Sequence, residues 1–126
     1  MDKSQRDLLE LLRKGQTPRG VYFIRSVANE SLIKIGYSSN VIIRFMHLHS
    51  SSPLTLELIG WVEGDRLTER EWHKRFKHLR SHGEWFHATP ELIESIHKES
   101  GVHGGTPAEF FSAIRLLVSK LKGDVK

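Results

Sequence analysis

Cysteine is absent from the 126 residues, which excludes a disulfide framework, a thiolate nucleophile and any zinc site built on sulfur. Long apolar runs are absent as well. The longest stretch without Asp, Glu, Lys or Arg is 45–56, and its two histidines and three serines make it too polar and too short to span a bilayer. The opening Met1-Asp2-Lys3-Ser4-Gln5-Arg6-Asp7 lacks the basic-then-apolar pattern of a secretory signal. A soluble, intracellular protein with no membrane partner is therefore expected. Neither G-x-G-x-x-G nor the Walker pattern occurs, so no glycine-rich phosphate loop is present. The histidines do not supply a zinc site: His73, His78, His82 and His87 have no established ligand spacing, and His-Glu-x-x-His is missing. Internal repeats and low-complexity tracts are also lacking.

The length suits one compact domain with a genuine core. The net charge of +4 is mild, but it is concentrated. Residues 66–80 hold Arg66, Arg70, Lys74, Arg75, Lys77 and Arg80 against only Glu69 and Glu71, and the rest of the chain balances.

Leu8, Leu9, Leu11 and Leu12 predict a short N-terminal helix ended by Gly15, and Gln16–Gly20 reads as a linker. Gly20–Ile24 and Leu32–Tyr37 are β-type runs separated by a turn at Val27–Glu30, which predicts a hairpin. Ser39-Asn40 caps a helix to about His49, and Leu54–Val62 reads as a third strand with Leu54, Leu56, Leu58 and Val62 on one face. A basic helix is expected over 66–80, ended by Ser81-His82-Gly83, and another over 90–99 behind Thr89-Pro90. Thr106-Pro107 starts a last amphipathic helix with Phe110, Phe111, Ile114, Leu117, Val118 and Leu121 on one side. The expected fold is a small α/β (α+β) sandwich, with a three-stranded, mostly antiparallel sheet flanked by helices. The segments are an N-terminal helix and linker (1–19), the main domain (20–100), and a flexible loop with a C-terminal helix (101–126).

Three places carry candidate chemistry. If Tyr22 opposes Lys34 in the hairpin, Val21, Phe23, Ile33 and Ile35 form one apolar face, and Tyr22, Ile24, Leu32 and Lys34 the other. A lysine beside a tyrosine favours phenolate formation; an edge lysine beside a surface tyrosine is the plainer alternative. On the basic helix, Trp72, Phe76 and Leu79 fall on a core-facing arc, and Arg66, Arg70, Lys74 and Lys77 on a basic stripe. Glu69 lies at the border between them with His73 one turn later, whereas Glu71 points to solvent. Magnesium needs only one or two protein carboxylates, so Glu69 is the better candidate ligand, the alternative being an ordinary ion-paired helix. Arg44 sits at the edge of the third candidate segment, where it can fork onto a phosphate or pair with a carboxylate.

Gly20-Val21-Tyr22, then Lys34-Ile35-Gly36, Ser38, Asn40 and Arg44, resemble the core of the GIY-YIG endonuclease superfamily. Glu69-x-x-x-His73-x-x-Phe76 followed by Arg80 and Gly83-Glu84-Trp85-Phe86 is similar to its phage- and bacteria-associated subgroup. The resemblance covers about residues 20–97. It implies a small α/β nuclease that hydrolyses DNA phosphodiesters with one divalent ion, Mg2+ or Mn2+. By position, Tyr22 would activate or place the attacking water and Arg44 would stabilise the negative transition state. Glu69, the carboxylate the helical wheel selects, would bind the metal. Lys34 stands where the family has its second tyrosine, with a role in lowering the Tyr22 pKa or in touching the scissile phosphate. His73 is a further candidate for water or proton handling. The stripe Arg66, Arg70, Lys74 and Lys77 would hold DNA phosphates irrespective of sequence. A non-catalytic nucleic-acid-binding module of the same fold, and a protein-interaction domain using the last helix, are the alternatives.

Overall fold

The computed structural model describes residues 13–100, together with residues 6, 10, 11, 112, 116 and 119. The expected N-terminal and C-terminal helices fall largely outside the described residues. Within them, five strands and three α-helices follow in the order β1 (Gly20–Ser26), β2 (Leu32–Ser38), α1 (Val41–Ser50), β3 (Leu56–Glu63), α2 (Arg66–Arg75), β4 (Arg80–His82), β5 (Trp85–His87) and α3 (Pro90–Ser100). A 3-10 turn, Lys77–Leu79, joins α2 to β4. No helix among the described residues is long and apolar enough to cross a membrane.

The sheet is antiparallel throughout, in the order β3-β1-β2-β5-β4. It has five strands where three were expected, because the chain leaves the α-helix at Arg75 and turns back as a small hairpin. That hairpin's strands have three residues each, too few to show alternation; its visible signal is Gly83, at φ +54 in the turn. The expected helix over 66–80 is corrected to Arg66–Arg75 for the same reason.

Helices cover both faces. Against α1, Tyr22, Ile24, Leu56, Leu58 and Trp61 pack with Val41 and Phe45. Against α2 and α3, Val21, Phe23, Ile33, Ile35 and Ile59 pack with Trp72, Phe76, Phe86, Leu92 and Ile96. This explains why Val21–Ile24 is an unbroken apolar run: a central strand with both faces covered has no solvent side to make polar.

Two register details differ from expectation. The hairpin turn occupies Val27–Ser31, so Tyr22 opposes Gly36, and Lys34 opposes Ile24. A shift of two residues preserves parity, and the two predicted faces of the hairpin survive it. In β3, a bulge between the Phe23–Gly60 and Ile24–Leu58 pairs leaves Ile59 as an extra residue. Parity reverses there, so Val62 packs on the α2 face while Leu56 and Leu58 pack on the α1 face. Leu54 precedes the strand and is exposed.

Local caps set the helices. The Asn40 side chain accepts from the Ile43 N–H at 3.1 Å, and the Val41 N–H donates to the Pro18 carbonyl at 2.9 Å, tying the linker to the start of α1. Asp65 accepts from the N–H groups of Leu67 and Thr68, and its own N–H donates to Thr68 Oγ1, closing a capping box on α2.

Candidate functional site at the outer edge of β2

Tyr22 lies in the central strand β1, with Gly36 on one side and Trp61 on the other. It is 1% exposed. Its ring lies across Gly36. A methyl group there would intrude on the hydroxyl and Cζ and sit 2.9 Å from Cε1, so glycine is what lets the phenol lie flat on the neighbouring strand. Gly20 answers a different close approach: a side chain there would strike the backbone of Val62.

The Tyr22 hydroxyl is where distant parts of the chain meet. Burial raises its pKa above the ordinary 10.0; Arg44, reaching in from α1, pulls it back down; the carboxylates of Glu84 and then Glu69 push it up again. The net direction is upward, so the phenol is protonated at neutral pH. Lys34 does not act on Tyr22 in this way. Its Nζ lies 3.2 Å from Glu84 Oε2 and 5.6 Å from the centre of the Trp85 ring. The expectation that Lys34 lowers the Tyr22 pKa is therefore corrected: the register places it two residues farther along β2, and Glu84 takes its charge.

Because the folded-state value lies above the unfolded one, the neutral phenol's contribution to stability is complete below pH 10 and is lost as pH rises through the folded value. An ultraviolet difference titration of wild type against Tyr22→Phe is expected to place the Tyr22 midpoint above 10.0. A midpoint at or below it would contradict the burial and paired carboxylates seen here.

Arg44 and Glu69 come from opposite faces of the sheet. The α1 helix packs on the Tyr22 face, whereas Trp72 and Phe76 seat α2 on the other. Arg44 hydrogen-bonds the Tyr22 hydroxyl, whereas Glu69 acts on it through space by charge and is the weakest of the named influences. The ladder between β2 and β5 covers Leu32–Lys34. His73 marks the outer edge of β2: its Nε2 lies 2.8 Å from the Ile35 carbonyl oxygen, and its ring meets Phe86 edge-on at 5.0 Å. A carbonyl only accepts, so Nε2 carries the proton and donates.

The basic stripe is partly committed to structure. Arg66 stacks on the Tyr37 ring at 5.1 Å. Arg75, outside the stripe, pairs with Glu99 at 2.7 Å and covers Trp72 and Phe76. Arg70, Lys74 and Lys77 are exposed and form no ion pair with another described residue, although Lys77 lies in the 3-10 turn rather than on the helix.

The geometry thus gathers Tyr22, Arg44 and Glu69, ties His73 to the same edge, and leaves Lys34 alongside in an ion pair. Glu84 was missed as a site residue. It belongs to a motif visible in the sequence, but its place beside Lys34 depends on the added β4–β5 hairpin, which no local pattern predicts. No group of three or more His, Asp or Glu side chains able to hold a metal occurs among the described residues. Mg2+ and Mn2+ need only one or two protein carboxylates when water and phosphate oxygens complete the shell, and Glu69 is the half-buried carboxylate on this side of α2.

A family model described as the T5orf172 domain matches residues 19–100, the stretch from the end of the linker through α3. The family named from the motifs is corrected by this match, which is to the T5orf172 domain and not to the GIY-YIG superfamily. Short triplets in a shared order were not enough to name the family. No curated protein and no solved structure matches the chain.

Proposed function

This chain belongs to the T5orf172 domain family, and from that premise we propose that it is a divalent-metal-dependent endonuclease that hydrolyses DNA phosphodiesters. The family is a nuclease-like one, which supports the class of activity. The observation that carries the proposal is a buried tyrosine hydroxyl that Arg44 bonds from α1 and that the charge of Glu69, on the helix packed against the opposite face of the sheet, also influences.

Each group has a task that follows from its surroundings. The Tyr22 phenol keeps its proton at neutral pH, so it orients the attacking water through hydrogen bonding and does not serve as a phenolate base. The Arg44 guanidinium offers forked donors to the phosphoryl oxygens on which negative charge grows in the transition state. Glu69 is the carboxylate that would hold Mg2+ or Mn2+; when bound, the ion would polarise a phosphoryl oxygen as a Lewis acid. Lys34, held by Glu84 on the Tyr22 face, contacts the scissile phosphate by exchanging one anionic partner for another. Arg70, Lys74 and Lys77, with Arg66 at the rim, give the backbone sequence-independent affinity along α2.

Purified protein is expected to nick supercoiled plasmid in Mg2+ or Mn2+ and to stop when EDTA is added. Salt-sensitive DNA binding with no cleavage in either metal would overturn the assignment in favour of a binding module.

A further inference from the structure

We infer that His73 is a positioning residue, which sets Glu69 against the site by standing in for a missing strand residue at the edge of β2. This rests on the endonuclease proposal for its consequence, but its structural basis is separate. In an antiparallel strand the N–H and C=O of one residue point to the same side. The Ile35 N–H donates outward to the Glu84 carbonyl at 2.9 Å. The Ile35 carbonyl faces that side too, yet β5 pairing ends at Lys34–Trp85. The carbonyl's acceptor capacity is met by His73 Nε2 instead, at 2.8 Å.

That bond crosses from α2 to β2. Ile35 is fully buried, and the His73 ring is held edge-on against the buried Phe86. The imidazole therefore pins α2 to β2 at one residue, next to Gly36. Glu69 precedes His73 by four positions, one helical turn, and so shares its face. Fixing His73 on the Ile35 carbonyl therefore also fixes the turn of α2 that carries Glu69 against this edge of β2. Nothing in this arrangement requires His73 to gain or lose a proton, since its engaged nitrogen is a permanent donor to a carbonyl.

Two substitutions separate positioning from proton handling. Glutamine presents an amide N–H at a reach similar to Nε2 but has no titrating group, whereas phenylalanine keeps the ring and loses the donor. His73→Gln is expected to retain cleavage within about threefold of wild type with the same pH profile, and His73→Phe to lose about 10–100-fold, the range for residues that orient a metal ligand. If His73→Gln is as inactive as His73→Phe while wild type cleaves, the positioning role is overturned and the endonuclease assignment stands. Metal affinity gives a second readout that needs no cleavage: Mn2+ binding, followed by electron paramagnetic resonance, weakens about 10–100-fold in His73→Phe and stays within about threefold of wild type in His73→Gln. Equal Mn2+ affinities in all three proteins would overturn the inference even if wild type proves unable to cut DNA.

Discussion

Arg44→Ala is expected to lower plasmid cleavage by about 10²–10³-fold, the usual effect of removing one electrostatic stabiliser of a developing oxyanion. Arg44 is exposed on α1 and fills no core position, so its thermal unfolding midpoint should stay near that of wild type. Arg44→Lys should restore little, because an ammonium lacks the forked pair of donors. Glu69→Ala is expected to fall at least as far, and the double variant no farther than the worse single one, since groups acting on one transition state are not additive. Single-turnover cleavage at saturating Mg2+ measures these effects. Losses under threefold in both single variants, with robust wild-type activity, would place the reacting phosphate elsewhere.

Gly36→Ala is expected to cost about 1–3 kcal/mol of stability, the range for forcing extra atoms into a packed interior. A domain of this size loses roughly 4–8 °C of Tm for each kcal/mol. The new methyl would meet the Tyr22 hydroxyl and ring, and Tyr22 is enclosed among Ile24, Val41, Phe45 and Trp61 with no room to yield. Cleavage should fall with stability, because the displaced phenol leaves the position that Arg44 and Glu69 share. In a Tyr22→Ala background the same substitution should cost little, since the colliding ring is gone; that non-additivity is what contact predicts. A Gly36→Ala protein that melts and cleaves like wild type would show that Tyr22 does not lie across β2.

Both predictions concern residues that were visible in the sequence, though for different reasons. Tyr22 and Gly36 could be placed on adjacent strands by hydrophobic runs alone. That they touch depended on the hairpin turn taking Val27–Ser31, which moved the pairing by two residues. Helical spacing separates Glu69 from Glu71, and in the structure Glu69 is half-buried and acts on Tyr22 through its charge while Glu71 is exposed. The alternation in β3 holds for Leu56 and Leu58, but not for Leu54, which precedes the strand, and it fails after Leu58 because a bulge adds one residue without leaving a mark in composition. The β4–β5 hairpin was missed altogether. Three-residue strands are too short for a periodic signal, and their pairing with β2 is a long-range event.

What the amino-acid order determined by itself is therefore local. It set the three helices and the three long strands in outline, the Asn40 cap on α1, the core-facing side of α2 and the two faces of the hairpin. These follow from periods of 2.0 and 3.6 residues and from side chains that bond their own backbone. Tertiary structure decided the absolute register, the reversal of face within β3, the Lys34–Glu84 ion pair and the protonated state of Tyr22. The last two are fields and contacts among residues 22, 34, 44, 69 and 84. Charge interaction depends on distance through space, and that distance exists only after the sheet edge at Gly36 has formed.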